Sequence, residues 1–207
     1  RYAFTDKGLL GLPASPIRAY IRTRDGLESP NAAISWTPFL IGENFQLAKQ
    51  SGVTAIMNIL RSESTGSIHL ASADAATPPA IRFNFLSAQL DRDVTLEAMR
   101  ITRRIMTAPA MRDITSDEIA PGIDIDSDDD LLDWVRNNAE TTYHPVGTCK
   151  MGSDPMAVVD DQLRVHGMQG LRIADASIMP TLTSGNTNAP SIMIGEKASR
   201  MVLAAAA

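Results

Sequence analysis

The sequence predicts an α+β fold, mainly an antiparallel sheet with packed helices. Three observations carry this. Up to about residue 86, short β-prone runs alternate with Pro-, Gly- and Ser-rich turns. From Asp93 the apolar spacing changes to steps of three and four, the helical period. The chain then closes on a further helical stretch behind a proline.

The elements follow in order. IRAYIRT (17–23) and AISWTPFLI (33–41) read as strands between turns. VTAIMNIL (53–60) and GSIHLAS (66–72) flank the polar RSESTG, which predicts a hairpin between these two runs. PPAIRFNFL (78–86) is a further strand, with its prolines at the start because proline cannot donate to an interior ladder. Val94, Ala98, Ile101, Ile105 and Met106 predict an amphipathic helix over 93–108, capped by Asp93 and followed by Pro109. A second helix begins in DSDDDLLDWVRNNAE (126–140), where carboxylates meet unpaired N–H groups and the positive end of the dipole. AVVDDQLRVHG (157–167) and GLRIADASIMP (170–180) suggest short strands and turns. SIMIGEKASRMVLAAA (191–206) predicts the closing helix, with Pro190 in a first turn that tolerates it.

Composition narrows the functional classes. The 207 residues carry a formal net charge of −5, with 44% hydrophobic and 21% charged residues, the balance of an ordinary soluble globular protein. No Lys/Arg cluster of the kind a phosphate backbone requires is present, which argues against nucleic acid. Arg18, Arg22 and Arg24, and Arg100, Arg103 and Arg104, read as solvated helix faces or strand edges. Cys149 is the single cysteine, so neither an internal disulfide nor a thiolate metal cluster can form. Asp124, Asp126 and Asp128 occupy positions 1, 3 and 5 of a calcium-loop template, but Asp129 replaces its glycine and Val135 its glutamate. The reading is a helix start, with no metal site. No apolar run is long enough to span a bilayer, and no targeting segment is visible, so the compartment stays open. The first residue is Arg rather than Met, which suggests a piece of a longer protein.

Site-like features concentrate near the end of the chain. In TTYHPVGTCKMG (141–152), Pro145 restricts His144 to extended or turn geometry, and imidazole exchanges protons near neutral pH. Taken alone, a single histidine before proline is more often structural than catalytic. SGNTNAP (184–190) places Asn186 and Asn188 before a helix, where they serve either as turn formers and caps or as donors to a ligand. Asp175 and Ala176 end an apolar run, a position suited to a sugar hydroxyl and a close phosphate, though aspartate commonly ends strands.

In this fixed order, the His-Pro-x-Gly-Thr-x-x-Met-Gly, Leu-Arg-Val-His-Gly, Gly-Leu-Arg-Ile-Ala-Asp-Ala and Ser-Gly-Asn-Thr-Asn-Ala-Pro segments closely resemble the carboxy-terminal region of the glucose-methanol-choline oxidoreductases. The resemblance is near-continuous from Tyr143 to about Leu203 and looser over 1–142. It implies a substrate-binding domain part at 1–142 and, at 143–207, a segment whose strand and helix complete an α/β FAD-binding domain. The family's G-x-G-x-x-G turn is not found, and GLLGLP (8–13) lacks its spacing. The ADP part of FAD is therefore expected on a preceding segment, and this chain alone is expected to take up no flavin and to be inactive. RSESTG also departs from the family's Pro-x-Ser-x-Gly turn.

The resemblance further implies the CH–OH chemistry of an alcohol oxidase or dehydrogenase, with hydride transfer to flavin N5. His144 takes the role of base, Asn186 that of its partner on the substrate oxygen, and Asn188 is the runner-up. Asp175, Ala176 and the Thr187 backbone are implied in FAD binding, with Asn188 beside them; Thr142 and Tyr143 shape the substrate cavity. Cys149 is expected as a buried thiol and His166 as structural. Two other readings stand beside this one: a flavin-containing hydroxynitrile lyase of the same fold, and a non-catalytic binding module.

Overall fold

The computed structural model describes residues 5, 8, 11–42 and 46–206. Leu9 and Leu10 of the GLLGLP stretch lie outside the described residues. The architecture is mixed α/β with antiparallel sheets, and contacts divide the chain into two compact units.

In one unit, formed by the chain up to Leu60 together with Ala88–Ala139, three strands make an antiparallel sheet. They are β1 (Ile17–Ile21), β2 (Ala32–Thr37) and β3 (Thr54–Ile59), in that spatial order. β2 is central, and Ala32, Ala33 and Ile34 are fully buried. Burial runs along nearly the whole strand, Ser35 and Thr37 included, so both of its faces are covered. β1 is one of the two edge strands; it leaves Ile17 and Tyr20 exposed, with Arg18 over the Tyr20 ring at 5.2 Å.

Helix α1 (Gln89–Met106) lies against β2 and β3, and its Val94 and Ala98 form a core with Ala32, Ile21, Met57, Ile59 and Leu90. The helix starts four residues before the expected Asp93. Leu90 joins that core, which draws the preceding turn into the helix, and the N-cap Ala88 supplies no side-chain bond. Asp93 instead accepts from Gln89 Nε2 at 2.7 Å. After the short α2 (Pro109–Arg112), helix α3 (Asp128–Asn138) begins where the acidic run predicts. Ser127 caps it, accepting from the Asp130 N–H at 3.2 Å and donating to Asp130 Oδ2 at 2.6 Å.

The arginines of α1 are more than a solvated face. Arg103 bonds Glu118, Asp126 and the carbonyls of Gly122 and Ile125, which fastens the loop between α2 and α3 to the helix. Arg100 pairs with Asp128 and Arg104 with Glu97. Two of the three acidic side chains that match calcium-loop positions thus face guanidinium groups.

The other unit combines Arg61–Ser87 with Glu140–Ala207. Here the expected hairpin between 53–60 and 66–72 does not form. β3 pairs with β2, while β4 (Ser67–His69) pairs antiparallel with β5 (Ala80–Arg82), in the register Ile68↔Ile81. Gly66 has a reason other than a turn: a Cβ there would run into the Arg82 carbonyl across the ladder. Asn84 and Leu86 adopt positive φ and end the β5 run early, with Asn84 Nδ2 donating to the Thr65 carbonyl.

The strands expected in 157–180 reduce to isolated bridges, Val159↔Val165 and Arg164↔Arg172. Tight turns replace ladders there, with Gly167 and Gly170 at positive φ. The closing helix α4 (Asn188–Ala206) starts three residues earlier than the sequence suggested, with Pro190 in its first turn. Val159, Leu163, Ile178, Met179, Ile194 and Ala198 form the core beneath it, flanked by Val146, Met151 and Ala176.

Candidate active site

The site lies wholly within the second unit, where the His144 loop meets the start of α4. Backbone bonds set the loop: the Cys149 N–H donates to the Ser177 carbonyl at 3.0 Å and the Met151 N–H to that of Ile178 at 2.7 Å. Val146, two residues after His144, packs on the same core as Ile194, one helical face along α4. Residues far apart in sequence are thereby held in register.

Three features give the loop its path. Tyr143 is left-handed at φ 58°, unusual for a bulky residue, and its N–H donates to Thr141 Oγ1. Pro145 then keeps His144 extended. Gly147 sits at φ 86°, and a Cβ there would come within 3.3 Å of the Met179 carbonyl.

The imidazole is gripped at both ends. His144 Nε2 lies 2.9 Å from Asn186 Nδ2, and Nδ1 lies 2.9 Å from Thr187 Oγ1. An amide nitrogen only donates, so Nε2 faces it with a lone pair. His144 is half-buried, Asn186 exposed and Thr187 only 8% exposed. Nε2 thus faces the exposed partner and Nδ1 the buried one.

Thr187 is fixed in turn, because its carbonyl accepts from the Ser191 N–H at 3.0 Å and the Ser191 hydroxyl at 2.7 Å. That first helical bond leaves the N–H groups of Asn188 and Ala189 outside the ladder at the positive end of a long helix.

The remaining candidate positions divide. Asn188 opens α4, and among the described residues it makes no hydrogen bond to His144. Asp175 caps a short 3-10 turn (Ala176–Ile178) by accepting from the Ser177 N–H at 2.7 Å. Ala176 packs against the core beneath α4. Thr142 and Tyr143 are exposed, Tyr143 at 77%. Cys149, expected as a buried thiol, is half-buried, because its loop runs along the surface of that core. His166 Nε2 lies 3.0 Å from the Gly152 carbonyl, an anchor between two turns.

Beside it, the Arg164 N–H leads the bonds that hold the Asp160 carboxyl below its usual range, with the Arg164 guanidinium and Gln162 N–H adding to them. Lys150 does the same for Asp154. These carboxylates tie turns. The sequence did not reveal one contact of the candidate site: it pointed to the Thr187 backbone, whereas the side chain reaches the histidine. Its only sequence signal was a place next to Asn186.

The sequence and fold together define the family. Residues 62–195 match the family model for GMC oxidoreductase, and the chain belongs to that family. It is 48% identical over 179 residues to an oxygen-dependent choline dehydrogenase of Cronobacter sakazakii, covering 86% of this chain and 32% of that protein. Among solved structures, it resembles pyridoxine 4-oxidase from Mesorbium loti with a TM-score of 0.81 at 28% identity, covering 90% of this chain and 37% of that one. A formate oxidase of Aspergillus oryzae RIB40, studied for its FAD modification, aligns with a TM-score of 0.78 at 26% identity over 86% of this chain and 32% of that one. The chain spans about a third of the length of the curated relatives it matches.

Proposed function

We propose that the chain is the carboxy-terminal part of an FAD-dependent oxidoreductase that oxidises the CH–OH group of an alcohol, with His144 as the base. One observation carries this reading: His144 Nε2 and Asn186 Nδ2 stand 2.9 Å apart, on the edge of the imidazole that faces the exposed Asn186. A single substrate hydroxyl can engage both, accepting from the amide and donating to the imidazole. The amide cannot take a proton, so the base role falls to His144, and Asn186 orients the oxygen.

The donor set beside the imidazole fits a flavin. The N–H groups of Asn188 and Ala189 at the start of α4 suit a ring carbonyl that gains negative charge. FAD, when bound, supplies the acceptor for the hydride. Asp175 and Ala176 would lie toward its ribityl and pyrophosphate portion, while Thr142 and Tyr143 would line the alcohol side. In this reading 1–142 belong to a substrate-binding domain, 143–207 complete the FAD domain, and the rest of the FAD site lies on a preceding segment. The relative's name makes choline the alcohol to assay first.

The test is anaerobic flavin reduction in the full-length protein. Bleaching on addition of alcohol is expected, with kcat falling by about 10²–10⁴-fold in His144→Ala and less in Asn186→Ala. A His144→Ala protein that oxidises alcohol at the parental rate would overturn the base assignment.

A further inference from the structure

We propose that the Thr187 hydroxyl is a positioning residue that fixes the tautomer of His144, keeping hydrogen on Nδ1 and the lone pair on Nε2. The inference rests on the reading of His144 as base. It starts from a ring bonded at both nitrogens, at 2.9 Å each. The Asn186 Nδ2 group only donates, so the nitrogen it faces carries the lone pair. A neutral imidazole then bears its hydrogen on Nδ1, and Thr187 Oγ1 accepts it.

Burial adds a second argument. The Nδ1 edge faces Thr187, which is 8% exposed, while the Nε2 edge faces the exposed Asn186. A hydrogen on Nδ1 is therefore costly unless a hydroxyl meets it. Thr187 is well suited to hold that place. It is β-branched and stiff, and Ser191 fastens its carbonyl twice at the helix start. When Nε2 takes the hydroxyl proton of the alcohol, the Nδ1–H···Oγ1 bond becomes charge-assisted, which favours the imidazolium. The opposite tautomer needs the Asn186 amide turned over and the threonine hydroxyl donating. It would present N–H, not a lone pair, to the substrate.

The experiment reads the tautomer directly. Nitrogen-15 NMR of histidine-labelled, flavin-loaded full-length protein, with His144 assigned by difference against His144→Asn, should show Nδ1 protonated and Nε2 bare. Thr187→Val keeps the shape and removes the hydroxyl. It should raise the Nε2–H population and lower kcat by about 10- to 100-fold, with KM nearly unchanged. Thr187→Ser should restore both.

Protonated Nε2 in the parent, an unshifted tautomer in Thr187→Val, or no recovery in Thr187→Ser would each overturn the inference. The parent measurement needs no variant to fold. If the tautomer shifts as expected while His144→Asn keeps full activity, the inference about Thr187 holds and the base reading fails.

Discussion

The surroundings of His144 are not revealed by its own position. A histidine before proline fits a loop, and only the folded chain brings Asn186 and Thr187 to its two ring nitrogens. Asn186 and His144 could be paired from sequence because each belongs to a motif of recognisable order. The Thr187 side chain could not, since its partner lies 43 residues away and no local pattern encodes which way a hydroxyl turns. Gly147 is the residue whose identity the backbone demands most plainly. At φ 86°, with the Met179 carbonyl 3.3 Å from where a Cβ would stand, an alanine is strained and crowded. Gly147→Ala should cost about 1–2 kcal/mol of stability, read from urea denaturation. It should also lower kcat, since the strain falls three residues from His144. A variant with parental stability would mean the loop relaxes freely at that point.

At the scale of elements, helices were more legible than strand pairings. The acidic run predicted α3, because carboxylates at the positive end of a helix dipole are a local device; the Ser127 cap emerged only in the structure. Ser127→Ala should lower stability by about 1 kcal/mol, measured as a fall in the thermal midpoint, while Ser127→Asp should hold it. The start of α1 was harder to read: a strong capping residue at Asp93 competed with Leu90, and burial of Leu90 won. The misassigned hairpin has the same origin. RSESTG looks like a turn between two β-prone runs, but β3 is claimed by β2 and β4 by β5. Strand pairing follows burial and close approach, as Gly66 against Arg82 illustrates, and sequence proximity does not specify either.

At the scale of the whole molecule, the site depends on a core that contains none of its polar residues. Val146 ties the histidine loop to that core, and Ile194 ties α4 to it. The distance between His144 and Asn186 is thus set by packing between segments far apart in the chain. Ile194 is 5% exposed, and Ile194→Ala should destabilise the protein by about 2–5 kcal/mol. It should also reduce kcat below the temperature at which unfolding begins, because the helix start carrying Asn186 and Thr187 loses its seat. Parental kinetics in a folded Ile194→Ala protein would show that the loop is positioned without this core.

The sequence by itself determined the family, the existence of the three long helices, and the histidine and asparagine that meet, because these are written in local periods, caps and ordered motifs. The tertiary structure alone decided which strands pair, how deep Cys149 sits and that the Thr187 hydroxyl meets Nδ1 of His144. Those outcomes turn on burial and on contacts between distant segments, and no short stretch of residues carries them.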